Sequence, residues 1–197
     1  MFQYILTQSE KWPVAELAQM AVEGGCTWIT LHLPEYTDEQ LKTEVLPEIV
    51  EMCREEGVIL TVDDRPETAR ELGLHGVRLS LDWMARHAGE SAATMREKLG
   101  PEAVIGIECA DPSAVPALVG ADIDFAYCTL AGASRREFAR KVREAGVELP
   151  LVAQGDFALE DLPGIIAEGY SGVAMGAPVT EAGDPVTATG TILDKLS

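Results

Sequence analysis

Short apolar runs alternate along the chain with stretches in which apolar side chains recur at three- and four-residue spacing, and the alternation repeats about eight times. The runs read as β-strands at 2–7 (FQYILT), 28–33 (WITLHL), 58–63 (VILTVD), 76–81 (GVRLSL), 103–108 (AVIGIE), 124–130 (DFAYCTL), 149–154 (LPLVAQ) and 172–177 (GVAMGA). Between them lie helical patterns such as PVAELAQMAVEGG, TDEQLKTEVLPEIVEMCREEG, RPETARELGL, SRREFARKVREAG and LEDLPGIIAEGY. Gly24 and Gly25, Gly57, Gly146 and Gly169 each close a helical stretch just before the next strand. Glycine tolerates the left-handed conformation that stops a helix. Strand and helix in strict alternation predict a parallel sheet. Eight such units in 197 residues predict one α/β domain over 1–197, a compact (β/α)8 TIM barrel. An open doubly wound sheet is disfavoured, because no G-x-G-x-x-G turn follows the first strand.

The formal charge of −18 opposes nucleic acid and anionic membrane surfaces, both of which need a basic face, so neither is an expected partner. No apolar stretch approaches the roughly 20 residues of a membrane span, and MFQYILTQSEKW has no basic signal-peptide start, so a cytoplasmic protein is expected. Cys26, Cys53, Cys109 and Cys128 lie far apart and read as reduced, buried thiols. A small anionic ligand remains compatible with this composition if backbone N–H groups and a few arginines hold it.

A barrel carries its chemistry at the C-terminal ends of its strands. There the sequence places Thr30 and His32, then Asp63, Asp64 and Arg65, then Arg78, Ser80 and Asp82, then Glu108 and Cys109, then Gln154 and Asp156, then Met175 and Gly176. All five lysines fall in helical stretches or at their borders, which argues against Schiff-base chemistry. His32 is the one histidine at a strand end. It is either a general acid or base, its pKa raised by Asp63 or Asp64, or a histidine bonded inside the mouth. Asp63 and Asp64 point to opposite sides of the strand. One of them is a candidate magnesium ligand or an orienting group, or Asp64 caps the helix that follows. Gly155 in VAQGDF and Gly176 in GVAMGAPV end strands seven and eight. They either make tight turns or let a phosphate approach the backbone of two adjacent loops.

Several of these stretches resemble the thiamine phosphate synthase and TenI-like barrels: GVILTVDDRPETARELGLHGVRLSLDW, LGPEAVIGIECADPSAV, LPLVAQGDF and GYSGVAMGAPV. The resemblance covers most of the chain. It implies a (β/α)8 barrel binding a small phosphorylated heterocycle, a thiazole phosphate, with the phosphate on the loops after strands seven and eight. It implies magnesium and a pyrimidine pyrophosphate in the synthases, and no organic cofactor. Asp64 falls on one magnesium-binding aspartate of the family. Trp83 falls on the other, with Asp82 one position early. The glutamine, arginine and lysine of the family's second strand are replaced in TLHLP, Arg78 stands for a histidine, and Glu108 for a serine. The resulting expectation is a thiamine-biosynthesis-related barrel of TenI isomerase type. A synthase with altered pyrophosphate contacts and a non-catalytic binder are the alternatives. His32, Asp63, Asp64, Arg78, Glu108 and Cys109 are the candidate acid, base and charge-bearing groups. Thr30, Gln154, Gly155, Met175 and Gly176 are the candidate substrate contacts, and Asp64 and Asp82 the candidate metal ligands. A homo-oligomer is also a candidate state.

Overall fold

The computed structural model describes residues 1–197, with only the side chain of Ala117 left out of the description. Eight strands, β1 (Phe2–Leu6), β2 (Trp28–Leu31), β3 (Ile59–Asp63), β4 (Gly76–Leu79), β5 (Val104–Cys109), β6 (Phe125–Cys128), β7 (Leu151–Gln154) and β8 (Gly172–Met175), pair in parallel with their chain neighbours. β8 pairs with β1, so the sheet is a closed barrel. Every predicted strand is present, in most cases trimmed at its ends.

The helices that cover it are α1 (Val14–Glu23), α2 (Asp38–Gln40), α3 (Leu46–Glu55), α4 (Pro66–Leu72), α5 (Leu81–Arg86), α6 (Ala92–Leu99), α7 (Val115–Leu118), α8 (Gly132–Glu144), α9 (Leu162–Ala167), α10 (Ala177–Thr180) and α11 (Pro185–Leu196). The helix expected without a break across 37–57 is divided. Thr37 and Gln40 form a reciprocal capping box on α2, and the next turn, Leu41–Val45, is a π-helix before α3 begins. Pro47 explains the widening, since it has no N–H to donate and its ring crowds the carbonyl four residues back. No helix is long and apolar enough to cross a membrane.

Strand residues of one parity face the helices and build the main core with residues such as Leu6, Leu31, Leu60, Cys109, Cys128 and Met175. The other parity fills the barrel, where Ile5, Trp28, Phe125, Tyr127, Val152 and Ala174 pack together. Phe125 meets Trp28 edge-on with centroids 5.1 Å apart. A side chain on Gly106 would collide with Phe125, its Cβ only 2.1 Å from the ring, so glycine there makes the space. Above this apolar plug the interior turns polar. Trp28 Nε1 donates to Thr61 Oγ1 at 3.1 Å, and Thr61 shares a 2.8 Å hydrogen bond with Thr30. Thr30 and Thr61 are fully buried, so the polar lining starts below the mouth.

Candidate functional site

The pairing register sets Asp63 on β3 directly beside Arg78 on β4, both pointing into the barrel. Arg78 donates from Nε to Asp63 Oδ1 and from Nη2 to Asp63 Oδ2, each at 2.8 Å, a fork that matches the carboxylate. Its Nη1 donates to Gln154 Oε1 at 2.8 Å and to Gln3 Oε1 at 3.4 Å. The guanidinium lies 4.3 Å over the Tyr127 ring. Arginine has donors only, so both glutamines must turn their amide oxygens to it. The amide nitrogen of Gln3 then points into the packed interior, buried and without an acceptor.

His32 follows β2, its backbone N–H fixed to Leu6 O at 2.9 Å. Its Nδ1 lies 2.9 Å from Asp63 Oδ2. The three side chains grade from closed to open: Arg78 is 3 % exposed, Asp63 13 % and His32 50 %. Burial would raise the Asp63 carboxyl, but the charge of Arg78 and the hydrogen bonds from His32 and Arg78 outweigh it, and its pKa lies below the ordinary value. The hydrogen bond to Asp63 raises the His32 pKa above 6.5 despite partial burial. Burial opposes the charge on Arg78, and Asp63 more than restores it. An ionised Asp63 can only accept, so neutral His32 carries its proton on Nδ1 and leaves the Nε2 lone pair for a ligand.

Asp64 does not cap α4; Arg65 holds that position, with no side-chain cap. Asp64 reaches across to β4 instead, where Oδ1 accepts from the Ser80 N–H at 2.7 Å and Oδ2 from the Ser80 hydroxyl at 2.6 Å. Among the described residues it is the one non-glycine with positive φ, at 56°. Ser80 in turn caps α5 by accepting from Trp83 N at 3.1 Å. Arg65 ties down the β2–α2 loop, donating to Tyr36 O at 2.7 Å and to Asp38. Glu108 stands half-buried across the mouth, accepting from Leu81 N at 3.0 Å and from the Thr129 hydroxyl at 3.3 Å.

Gln154, Gly155 and Gly176 lie together, with Gln154 beside Ala174 in register and Gly155 N–H donating to Ala174 O at 3.1 Å. A Cβ at Gly155 would stand 3.1 Å from the Phe157 ring, and one at Gly176 3.0 Å from Ile5 O. Gly155 thus packs on its own loop and Gly176 on β1, and the two strand ends are joined by the Gly155–Ala174 hydrogen bond.

Four expected site residues lie elsewhere. Cys109 and Met175 have the wrong parity and are buried against the helix layer. Burial pushes the Cys109 thiol up to about 12, which leaves it without acid–base use near neutrality. Thr30 sits fully buried against Thr61, one layer beneath the mouth. Asp82 is exposed in the first turn of α5 and does not line the cleft beside Asp64. That cleft, about 520 Å³, runs outward from His32, Asp63 and Asp64 between Pro34 and Pro66 to Trp83 and His87. Gln3, Trp83 and His87 are the polar and aromatic groups that strand-end reading missed. For Gln3 the signal was present, a lone amide in the apolar strand FQYIL.

The family model described as thiamine monophosphate synthase (TMP-TENI) matches residues 3–179. A thiamine-phosphate synthase of Bacteroides fragilis is 31 % identical over 206 aligned positions, covering 98 % of each chain. The thiamine-phosphate synthase of Bacteroides thetaiotaomicron is 30 % identical, with 98 % of this chain and 95 % of that protein covered. Among solved structures, the thiamine phosphate pyrophosphorylase from Pyrococcus furiosus superposes with a TM-score of 0.83 at 22 % identity, over 98 % of this chain and 94 % of the other. The barrel of native KDPGal superposes at 0.74 with 14 % identity over 98 % and 93 %, a likeness of fold. The chain belongs to the thiamine monophosphate synthase/TenI family.

Proposed function

We propose that this barrel acts in thiamine biosynthesis as a TenI-type isomerase on a thiazole carboxylate phosphate, with the phosphate on the loops that end β7 and β8 and His32 moving the proton. The observation that carries the reading is the linked set His32, Asp63 and Arg78, an open imidazole backed by a buried, charge-locked carboxylate. In this reading neutral His32 takes a proton at Nε2 from a ring-adjacent carbon. Asp63 holds the imidazolium that forms, and the half-exposed imidazolium, its Nε2 proton exchanging with solvent, returns a proton to another atom of the ring. Nothing is oxidised and nothing leaves. Gly155 and Gly176 support the anion end, as two positions without a Cβ at the ends of adjacent strands.

The test is proton exchange of the thiazole carboxylate phosphate in deuterated buffer, followed by proton NMR, with thermal shifts for the same ligand. Exchange should rise with pH through the raised His32 pKa and fall at least a hundredfold in His32→Gln, a loss on the order of that assigned to general acid–base groups. No thermal shift with any phosphorylated thiazole overturns the reading. The names of the relatives favour a second reading, a thiamine-phosphate synthase. Magnesium-dependent binding of a pyrimidine pyrophosphate would decide for it.

A further inference from the structure

Arg78 brings its three nitrogens into the centre of the mouth, and its neighbours divide them by charge. Asp63, on β3, takes the Nε and Nη2 edge. The remaining nitrogen, Nη1, meets only neutral acceptors, Gln154 Oε1 on β7 at 2.8 Å and Gln3 Oε1 on β1 at 3.4 Å. The buried ion pair is therefore a dipole, its negative end at β3 and its positive end at the two amides.

A guanidinium only donates, so it also fixes which way each amide faces. Each glutamine turns its oxygen toward Arg78 and its NH2 group away. For Gln3, fully buried, that group ends in packed interior without an acceptor. Gln154 is different: it is the last residue of β7, only half-buried, and its Nε2 is not enclosed. Among the described residues no acceptor meets that nitrogen. Two N–H donors of fixed orientation thus stand open at the C-terminal end of β7, directly before Gly155.

Other donors at this end are already occupied. The Gly155 N–H is bonded to Ala174 O at 3.1 Å. Lys11, after β1, donates to Ala182 O at 3.2 Å, and Arg135, on α8, donates to Glu168 at 2.8 Å. Hydrogen bonds in series polarise one another, so the bond from Arg78 to the Gln154 oxygen makes the amide hydrogens more positive. An oxyanion is the acceptor that gains most from such a pair.

We infer that Gln154 is the side-chain donor to the ligand's phosphate, its amide aimed by Arg78, which acts on the anion without touching it. The inference rests on the phosphate placement proposed above and adds the group that grips it. Arg78 is then a positioning residue in two directions, toward the imidazole through Asp63 and toward the anion through Gln154.

The chain has five glutamines and no asparagine, so its side-chain amides give five NH2 pairs in a nitrogen–proton NMR spectrum, and Gln154→Met assigns the one from Gln154. Before any ligand is added, the heteronuclear Overhauser effect should show the Gln154 side-chain nitrogen as rigid as that of Gln3, with exposed Gln8 mobile. The probes are inorganic phosphate and then thiazole phosphate, titrated into the whole labelled chain. The Gln154 pair should shift saturably and the buried Gln3 pair much less. Gln154→Met should weaken binding by about tenfold to a hundredfold, the range of one hydrogen bond to a charged group. Gln154→Glu keeps an acceptor for Arg78 but puts an oxygen where the NH2 stood, so it should fold and bind neither phosphate. A mobile Gln154 amide in the ligand-free chain overturns the aiming by Arg78. Thiazole phosphate that binds without moving the Gln154 pair, or that binds either variant as tightly as the wild-type chain, overturns the inference and leaves the isomerase reading standing. Binding through Gln154 without His32-dependent proton exchange does the reverse, and no binding of either phosphate overturns both.

Discussion

Asp63→Asn isolates the charge at the centre of the mouth. The substitution keeps shape and leaves Arg78, almost wholly buried, facing two glutamine oxygens and no counter-charge. Two unit charges about 4 Å apart in an effective dielectric of about 20 interact by about 4 kcal/mol. Removing one partner of a buried pair costs about 3–5 kcal/mol by measurement elsewhere. The two agree, and the loss is a large share of the roughly 5–15 kcal/mol that holds a domain together. Urea unfolding followed by circular dichroism at pH 7 should therefore show a drop of about 3–5 kcal/mol. The pH dependence has a definite sign. A carboxyl with depressed pKa stabilises above its unfolded value, near 3.9, and that stability is lost as pH falls through the folded value, so the wild-type chain should weaken below about pH 4 and the variant should lack this component. His32 acts in the opposite window. Its raised pKa adds stability that is full below about 6.5 and lost as pH rises through the folded value, and Asp63→Asn should abolish that as well. A variant that loses less than about 1 kcal/mol, with the His32 titration unmoved, would refute the charge-locked arrangement.

Ser80→Ala should cost about 1–3 kcal/mol by chemical denaturation, because Asp64 loses its hydroxyl donor and α5 its cap, while Ser80→Thr should restore most of it. Gly76→Ala should cost more than about 3 kcal/mol, since the added Cβ would lie 1.8 Å from the Val104 carbonyl oxygen; Gly57→Ala, with open space around it and only the strain of φ 68°, should cost about 1 kcal/mol. The thiols should resist a disulfide reagent at pH 8 in the native state and react fully in denaturant, because burial pushes Cys26 up to about 11 and Cys53 and Cys109 up to about 12. Stoichiometric labelling of native Cys109 would contradict its place behind the sheet.

The barrel was legible because each αβ turn writes its own signal, a glycine between a three–four pattern and an apolar run, and eight local signals add without conflict. His32 and Asp63 were legible for a similar reason, as polar groups ending apolar strands. What the strand-end rule lacked was parity. Cys109 and Met175 sit at strand ends but one step out of phase with Glu108 and Gly176, and a single step turns a side chain from the axis to the helices. For Asp64 the capping alternative failed for a different reason. Its neighbour Pro66 suggested a capped helix start, yet the left-handed turn aims the carboxylate at Ser80, a partner that only the β3–β4 register brings near. The π turn at Leu41–Val45 was readable in principle from Pro47, and the apolar periodicity hid it.

The grip of Arg78 on Gln3 and Gln154 also has a bearing on the order of assembly. These partners lie 75 and 76 residues away along the chain, one in the first strand and one in the seventh. Contacts of such separation form only after large loops have closed. A chain that has paired β2 to β4 can already join His32 to Asp63, but the guanidinium reaches its full set of acceptors only when the two ends of the sheet have met around it. Premature half-barrels would hold that charge without all its partners, so incomplete closure is penalised from the centre of the molecule, while the His32 titration, set by Asp63 on the next strand, would report on the earlier pairing of β2 to β4 during refolding.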